Sequence, residues 1–190
     1  MWRDMAAQPD TVLLTAEQFL QIDFGPDIKA ELDNGVIRMM AGGTRAHARV
    51  QMNVLAFLGS KLRGSGCRPY GPDLAVRTHA GSVRYPDVSV DCGGDAAIDD
   101  QDKIVADPRV LVEVLSPSTR REDEGVKLDE YRRLGSVDTI ALIDPTDERI
   151  RVLQRTGPNA WSDRTFKDPA DLELPSLGLI VPHAEMFARD

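Results

Sequence analysis

Residues 110–115 limit the possible folds of this chain more than any other segment does. The run Val-Leu-Val-Glu-Val-Leu is apolar on both of its alternating faces, which is typical of a β-strand covered by other structure on both sides. Glu113 is the one charged residue in the run. Because burying an unpaired carboxylate costs several kcal/mol, we expect Glu113 to be ion-paired, protonated or bound to a metal ion. A structural ion pair and a metal site are both open at this point.

A second carboxylate follows from the strict alternation of residues 86–91. Asp87 projects to the polar face of this predicted strand, and two valines project to the other face. If the strand lies beside that of Glu113, the two carboxylates meet at one site, which the Val114 carbonyl can join. Such oxygen ligands suit a hard cation such as Mg²⁺, which usually retains waters. The competing Pro-Asp pair at residues 72–73 is interpreted as a turn.

A candidate amine lies on the helix that is predicted after Glu113. Ser118 and Thr119 can cap this helix, which runs to about residue 134. Five of its residues are spaced by three or four positions and share one face: Arg120, Asp123, Lys127, Tyr131 and Leu134. Lys127 can therefore reach back toward the carboxylates. The alternative is a solvent-exposed pair with Asp123 that contributes a few tenths of a kcal/mol.

The other elements are predicted from periodicity and from turn residues. A capping box of Thr15 and Gln18 begins a short helix, and Asn34-Gly35 is the dipeptide that best favours a type I′ hairpin. The remaining predictions are a hairpin of residues 30–33 and 36–39, a helix over 45–62, central strands at 74–78, 85–91 and 110–115, a strand at 139–143, and a peripheral hairpin of 149–154 and 161–166 followed by a Pro-rich tail.

Length and composition restrict the class of protein. A chain of 190 residues with 42% hydrophobic content can bury the core of a single domain over residues 1–190, of which 1–12 are expected to be flexible. Cys67 and Cys92 lack the spacing of a zinc site or a disulfide framework and are expected to be free thiols in a reducing cytosol. The sequence shows neither a signal peptide nor a membrane-spanning apolar run, so we expect a cytoplasmic protein.

The net charge of −8 would repel a polyanion, so any contact with nucleic acid must be local. Four cationic side chains are candidates for phosphate contacts: Arg45, Arg49, Arg120 and Arg121. Affinity that depends on them would fall steeply as the salt concentration rises. The alternative is that these side chains serve solubility alone.

Three groups of residues together resemble a known family. They are Pro86-Asp87, the run Glu-Val-Leu-Ser-Pro-Ser-Thr that begins at Glu113, and the residues Asp123, Lys127 and Tyr131. This pattern resembles the Uma-two family of restriction endonucleases, within the PD-(D/E)XK nuclease superfamily, and the likeness extends over residues 15–187. It implies a restriction-endonuclease-like α/β fold, in which a central mixed four-stranded sheet lies between helices, with extra hairpins. The strands of Asp87 and Glu113 would be adjacent at the metal site.

The resemblance also implies the roles of further residues. In the general superfamily pattern a lysine stands two residues after the glutamate, where this chain has Leu115. The likeness implies that Lys127 supplies the amine instead. It further implies Glu31 as an accessory acid and His47 near the site.

The activity expected from the resemblance is hydrolysis of nucleic-acid phosphodiester bonds, with DNA as the expected substrate. Mg²⁺, or Mn²⁺ in its place, would be bound by Asp87, Glu113 and the Val114 carbonyl. A homodimer would suit duplex cleavage, because cutting both strands usually calls for two active sites.

Two other classes of protein stay open. A non-catalytic nucleic-acid or protein-binding module that retains the nuclease fold would explain Leu115 and the acidic net charge. A glycoside hydrolase with Asp87 and Glu113 as acid and base would need carboxyl groups roughly 5 to 9.5 Å apart and a sugar cleft. An aromatic content of 5% disfavours this last class.

Overall fold

The strands of the computed structural model form three sheets, and the structure describes residues 13–93 and 101–189. The expected flexible segment of residues 1–12 lies outside the described residues. The helices are α1 (Ala16–Leu20), α2 (Arg45–Lys61), α3 (Arg120–Glu122), a π-helix (Asp123–Lys127), α4 (Leu128–Arg133), a 3-10 helix (Pro175–Leu177) and α5 (His183–Met186). The strands are β1 (Ala30–Asp33), β2 (Val36–Met39), β3 (Arg68–Tyr70), β4 (Val76–His79), β5 (Ser82–Arg84), β6 (Val88–Asp91), β7 (Pro108–Val114), β8 (Thr139–Asp144), β9 (Arg149–Gly157), β10 (Ala160–Thr165), β11 (Leu172–Leu174) and β12 (Leu179–Val181).

The central sheet has the strand order β10-β9-β8-β7-β6-β3. It is mixed, since β7 and β8 run parallel and the other neighbouring pairs run antiparallel. This confirms the predicted α/β class with a mixed central sheet, but the sheet has six strands rather than four. The predicted hairpin of β9 and β10 extends the sheet through β8, and β3 pairs with β6 at the other edge. A strand as short as β3 cannot display a period of two in the sequence.

A second sheet has the order β2-β1-β5-β4. Its β1–β2 hairpin confirms the prediction, because Asn34 and Gly35 have φ values of 47° and 84°, the left-handed backbone that both central residues of a type I′ turn require. The prediction of a central strand at residues 74–78 is wrong, since that segment becomes β4 of this second sheet. It pairs with β5, because strands joined by a turn of two residues pair with each other.

Helix α2 covers one face of the central sheet. Thr44 caps it by accepting a hydrogen bond from the His47 N–H, and Val50, Val54 and Leu58 are buried along one side, as their spacing predicts. These side chains join one hydrophobic cluster with residues of β6, β7, β11, β12 and α5. The predicted Pro-rich tail is therefore part of the core.

The helical segment after Glu113 covers the opposite face and is not one regular α-helix. Thr119 makes no side-chain capping hydrogen bond to α3, and the π-helix interrupts the segment before α4. Leu128 and Tyr131 of α4 pack in a second cluster with apolar residues of β7 and β8. Such π turns occur often at functional sites, and here the turn begins and ends with two buried ionisable residues, Asp123 and Lys127.

Cys67 and Cys92 form a disulfide, which corrects the prediction of free thiols and removes the argument for a reducing compartment. Strands β3 and β6 pair Arg68 with Asp91, so the two flanking cysteines lie side by side, with their Cα atoms 3.9 Å apart. Because β3 gave no signal in the sequence, this neighbourhood could not be foreseen. Within residues 13–93 and 101–189, the helices all lack the combination of length and apolar character that crossing a bilayer requires.

Candidate active site

Asp87 and Glu113 stand opposite each other at the boundary of β6 and β7. Val88 lies opposite Val112 in this antiparallel pair, and the same register continued by one residue sets Asp87 against Glu113. Asp87 precedes the first residue of β6 rather than lying within the strand. Its Oδ2 accepts a hydrogen bond of 2.7 Å from the Val114 N–H, which ties the carboxylate to the neighbouring strand.

Glu113 is a buried carboxylate, and both groups that donate hydrogen bonds to it contact the same oxygen. Oε1 accepts a hydrogen bond of 2.6 Å from the Tyr131 hydroxyl and one of 3.3 Å from Lys127 Nζ. Burial raises the pKa of Glu113 to about 8, because the cost of desolvating the charged form outweighs the attraction of Lys127. Within the described part of the chain, Oε2 receives no hydrogen bond.

Lys127 lies among three carboxylates. Its Nζ is 3.1 Å from Glu31 Oε1, 3.3 Å from Glu113 Oε1 and 3.1 Å from Asp123 Oδ1. Burial by itself would lower the pKa of Lys127, but the three carboxylates together raise it above its ordinary value. The side chain is 7% exposed, so the alternative of a solvated surface pair with Asp123 is wrong.

His47 lies beside Asp87 in the first turn of α2. Nε2 is 3.2 Å from Asp87 Oδ2, and this hydrogen bond raises the pKa of His47 against the opposing effect of burial. The Val114 carbonyl adds to the same effect. Gly43 leaves room for the imidazole, because a Cβ at that position would come within 2.8 Å of His47 Nδ1. Gln51, one turn further along α2, donates to the Asp87 carbonyl at 3.1 Å.

Asp87 and His47 line an open cleft of about 460 Å³. Glu113 lies deeper, with 4% of its surface exposed, so Asp87 is the carboxylate of the pair that faces the cleft. Two larger cavities, of about 500 and 590 Å³, lie at the disulfide edge and beside Arg120. Neither is lined by the two carboxylates, and the site is therefore assigned by its ionisable groups rather than by cavity size.

Arg84 is a residue of this region that the sequence did not reveal. Its side chain is fully buried at the end of β5. The guanidinium contacts four carboxylates: Glu130 through two hydrogen bonds of 2.8 and 2.9 Å, Asp33 at 2.9 Å, Glu122 at 3.0 Å and Glu31 at 3.4 Å. Like Glu113, Arg84 is a charge between apolar neighbours, but a strand of three residues gives no periodicity that would mark it as buried.

Glu31 connects Arg84 to the amine of Lys127. Its Oε2 is 3.4 Å from Arg84 Nη1, and its Oε1 is 3.1 Å from Lys127 Nζ. The backbone N–H of Tyr85 donates to the same Oε1 at 3.1 Å. The carboxylate is thus fixed from three sides, which accounts for a buried glutamate in β1.

More carboxylates than cations are buried around this site. Six carboxylates are no more than 16% exposed in their side chains: Glu31, Asp33, Asp87, Glu113, Asp123 and Glu130. They face Arg84, Lys127 and the imidazole of His47, while the more exposed Arg38 and His79 reach Asp33 at 3.3 Å and Glu130 at 3.6 Å. Since uncompensated buried charge is costly, the excess of carboxylates favours either a protonated Glu113 or the binding of a further cation.

The donor set fits Mg²⁺ better than a metal that needs a full set of protein ligands. Asp87, Glu113 and the Val114 carbonyl offer hard oxygen ligands, and Mg²⁺ typically keeps several waters. In the described residues, no group of three or more His, Cys, Asp or Glu side chains could hold a metal ion by itself. A cation here would therefore rest on two carboxylates, a carbonyl and water.

The structure brings together every residue that the sequence nominated for the site. These are Glu31, His47, Asp87, Glu113, Val114 and Lys127. The competing carboxylate, Asp73, lies apart in its turn, where it is 84% exposed and pairs with Lys29 at 2.6 Å. Arg120, nominated for phosphate contact, pairs with Asp144 at 2.6 Å.

A mixed sheet between helices, with an acidic pair where two strands meet and a lysine beside the glutamate, is the arrangement that the restriction-endonuclease-like fold class implies. Residues 16–183 match the Uma2 (Uma-two) family, which is described as "Putative restriction endonuclease". The chain belongs to this family.

Other proteins are similar to this chain in fold or in sequence. A crystal structure of a protein described as a "putative nuclease belonging to DUF820" from Anabaena variabilis has a TM-score of 0.74 and 18% sequence identity, and the match covers 92% of this chain and 98% of that chain. At such low identity the likeness concerns the fold alone. Two uncharacterized proteins of Synechocystis sp. are each 28% identical, over 167 and 152 residues, which cover 87% and 80% of this chain and 87% and 86% of theirs.

Proposed function

We propose that the protein is a divalent-metal-dependent endonuclease that hydrolyses phosphodiester bonds in DNA. The observation that carries the proposal is the opposed pair of Asp87 and Glu113, with the amine of Lys127 3.3 Å from Glu113. Two carboxylates and an ammonium group at one point are the side chains that phosphodiester hydrolysis needs for holding a cation and for stabilising phosphate charge.

Asp87, Glu113 and the Val114 carbonyl would hold Mg²⁺ or Mn²⁺. When bound, such an ion lowers the pKa of a coordinated water and offsets negative charge on the phosphate. The contribution of the protein is rigidity, because Glu113 and Val114 lie within β7 and Asp87, which directly precedes β6, is fixed through Oδ2 by the Val114 N–H. Ligands held by a strand keep their geometry better than ligands on free loops.

Lys127 acts as a fixed positive charge rather than as a base. Burial opposes its charged form, but Glu113, Glu31 and Asp123 raise the pKa of Lys127 above its ordinary value, so the amine keeps its proton at neutral pH. An ammonium group can orient the attacking water and stabilise the negative charge that develops on the phosphate. Lys127 thus supplies the positive charge that Leu115, at the position of the superfamily's lysine, cannot provide.

Glu31 and His47 are positioning residues in this proposal. Glu31 Oε1 holds Lys127 Nζ at 3.1 Å, and His47 Nε2 lies 3.2 Å from Asp87 Oδ2. Each contact adds to the hydrogen bonds and ion pairs that already hold Lys127 and Asp87 in place. Neither residue needs to touch the substrate to affect the rate, since small displacements of reacting groups are costly.

The substrate would enter through the cleft that Asp87 and His47 line. Free positive charge near this cleft is limited, because Lys29, which lines it, pairs with Asp73 at 2.6 Å. With a net charge of −8, long-range attraction of DNA is weak. We therefore expect modest affinity for DNA, with a shallow dependence on salt because few phosphates would be neutralised.

A non-catalytic nucleic-acid or protein-binding module is the second candidate function. Leu115 at the position of the superfamily's lysine and the acidic net charge favour it, and the pairing of Arg120 with Asp144 favours a protein over a nucleic acid as its partner. This candidate predicts that the protein binds a divalent cation without cleaving DNA.

The test is cleavage of plasmid and single-stranded DNA, with RNA in parallel, in Mg²⁺, in Mn²⁺ and in a chelator. Wild type would be compared with Asp87→Asn and Glu113→Gln, which keep size and remove charge. Both variants are expected to lose metal-dependent cleavage by at least about 100-fold, as loss of metal-based charge stabilisation predicts.

The matched control is Asp91→Asn. It removes the same charge from the far end of β6, where Asp91 accepts only the Gly93 N–H at 3.0 Å among the described contacts, and should cleave like wild type. Equal activity in all four proteins would indicate a contaminating nuclease. Metal binding without any cleavage would support the binding module instead.

We also propose that the protein cleaves duplex DNA as a homodimer. The reason is the need for one active site on each strand, which a two-fold symmetric pair supplies. Size-exclusion chromatography with light scattering would measure the molecular mass, and a monomer at the concentrations that cleave duplex DNA would contradict this proposal.

A further inference from the structure

The hydroxyl of Tyr131 donates a hydrogen bond of 2.6 Å to Glu113 Oε1. Tyr131 is completely buried, and its ring packs in the cluster formed with Leu111 and Leu128. The ring therefore has little freedom to move, and its hydroxyl is held at one position against the carboxylate. Core packing in this way sets the orientation of a charged side chain.

The two oxygens of Glu113 have different surroundings. Oε1 accepts from the Tyr131 hydroxyl and from Lys127 Nζ, whereas Oε2 receives no hydrogen bond from the described residues. Lys127 is shared among three carboxylates and lies 3.3 Å away. The phenol makes the shorter contact and has no other hydrogen-bond partner among the described residues, so it is the group that fixes Oε1.

We propose that Tyr131 is a positioning residue that occupies Oε1 of Glu113 and leaves Oε2 as the oxygen that binds the divalent cation. This inference rests on the proposed function in one respect, namely that Glu113 is a cation ligand. It assigns to Tyr131 a role that core packing does not require, since phenylalanine would fill the same space.

The chemistry of the phenol suits this role. A neutral hydroxyl donates one hydrogen bond without adding a charge that would repel a cation, whereas a second ammonium group would do so. Burial raises the pKa of Tyr131 well above its ordinary value, so the hydroxyl keeps the proton that it donates. Hydrogen bonds to the groups that ligate a metal typically change its affinity by about 10- to 100-fold.

The first experiment measures Mn²⁺ affinity by calorimetry for wild type, Tyr131→Phe and Tyr85→Phe. Tyr131→Phe keeps the ring and removes the hydroxyl, and we expect the Kd for Mn²⁺ to rise by about 10-fold or more. Tyr85→Phe is the matched control, because Tyr85 adjoins the same region through its N–H bond to Glu31 while its hydroxyl has no hydrogen bond among the described contacts. It should bind Mn²⁺ like wild type.

A second experiment does not depend on the stability of Tyr131→Phe. The chain contains three tyrosines, so the double variant Tyr70→Phe, Tyr85→Phe leaves Tyr131 as the sole tyrosine. In protein made with isotopically labelled tyrosine, titration with Mg²⁺ should then shift the ring NMR signals of Tyr131, because cation binding at Oε2 withdraws electron density from the carboxylate that accepts its hydrogen bond. The NMR shift should saturate at the same Mg²⁺ concentration as binding measured by calorimetry.

The outcomes separate this inference from the proposed function. Unchanged Mn²⁺ affinity in folded Tyr131→Phe, or a tyrosine signal that ignores bound Mg²⁺, would overturn the role of Tyr131. Equal weakening in the Tyr85→Phe control would overturn it as well. If the Kd of Tyr131→Phe for Mn²⁺ is about 10-fold higher but wild type cleaves no nucleic acid, Tyr131 is supported as a positioning residue and the proposed nuclease activity is refuted. Wild type that binds no divalent cation would refute both.

Discussion

The amine of Lys127 lies 3.3 Å from the Glu113 carboxylate, although 14 positions separate the two residues along the chain. Leu115 follows the strand that carries Glu113, and its side chain is buried in the hydrophobic cluster beneath α4. The positive charge therefore comes from Lys127 at the end of the π-helix. A lysine from a neighbouring element can supply the charge because only its position in space matters.

Loss of the Lys127 amine should strongly reduce the rate of DNA cleavage and should change the affinity for the metal less. We expect Lys127→Met to reduce kcat for DNA cleavage by about 100-fold or more, since a preorganised charge at the phosphate is removed. Removing one partner from a buried charge cluster also destabilises the fold, so kcat would be measured where circular dichroism shows the variant to be folded. Lys61→Met, at the end of α2, is the control. Full activity of folded Lys127→Met would contradict the role given to this amine.

Arg84 should be among the side chains on which stability depends most. Arg84→Met leaves Glu130 and Asp33 without their buried partner, and we expect the free energy of unfolding to fall by about 3 to 5 kcal/mol. Arg77→Met is the matched control one strand away, because Arg77 is 52% exposed and pairs with exposed Glu17; such pairs contribute about 1 kcal/mol or less. Urea denaturation measures both. A similar loss in the two variants would mean that the buried network contributes little.

Stability of the metal-free protein should decrease with rising pH because of Glu113. Its folded-state pKa of about 8 lies above its ordinary value of 4.5, so between these values the folded protein binds more protons than the unfolded chain. Unfolding therefore becomes more favourable as pH rises through this window. Glu113→Gln cannot titrate, and its melting temperature in a chelator should decline less over the window than that of wild type. Parallel melting curves across the same pH range would show that Glu113 is not the cause.

The same Glu113 titration predicts how added metal acts on wild type. Mg²⁺ binds the carboxylate form and competes with the proton, so the rise in melting temperature on adding Mg²⁺ should be larger near pH 8 than near pH 5. Glu113→Gln should show little Mg²⁺-dependent stabilisation at either pH. A stabilisation of wild type that is independent of pH would place the bound cation away from Glu113.

Gly43 should control the position of His47. A Cβ at residue 43 would come within 2.8 Å of His47 Nδ1, whereas a Cβ at Gly42 meets nothing within 4 Å. Gly43→Ala is expected to push the imidazole away from Asp87, whose hydrogen bond raises the pKa of His47. Titration of His47 by NMR should therefore give a lower pKa in Gly43→Ala than in wild type, with Gly42→Ala unchanged. An identical pKa in both variants would mean that the ring is not held by this contact.

Local patterns predicted the elements whose signals lie within a short stretch of chain. The capping box at Thr15, the Asn34-Gly35 turn and the apolar spacing along α2 gave the right elements at nearly the right bounds. The buried strand of Glu113 was found for the same reason, since seven residues are enough to display apolar faces on both sides. These signals depend on neighbours in sequence, which the sequence shows directly.

Short strands and their partners escaped prediction. Strands β3 and β5 have three residues each, too few for a periodic pattern, and so neither the Cys67–Cys92 disulfide nor buried Arg84 was foreseen. The segment at residues 74–78 had the pattern of a strand but no information on which sheet it would join. The strand with which this segment pairs, β5, depends on the turn that follows it and on which of the two sheets it joins.

The sequence by itself determined the α/β class and the identity of two carboxylates, because a lone charge in an apolar strand must be compensated wherever that strand is buried. Only the tertiary structure decided what compensates it. The register of β6 on β7 sets Asp87 opposite Glu113, and the π-helix and α4 bring Lys127 and Tyr131 to the Glu113 carboxylate. Arg84 fixes Glu31 from a second sheet. Contacts between residues distant in the chain depend on how whole elements pack, which no local pattern of residues specifies.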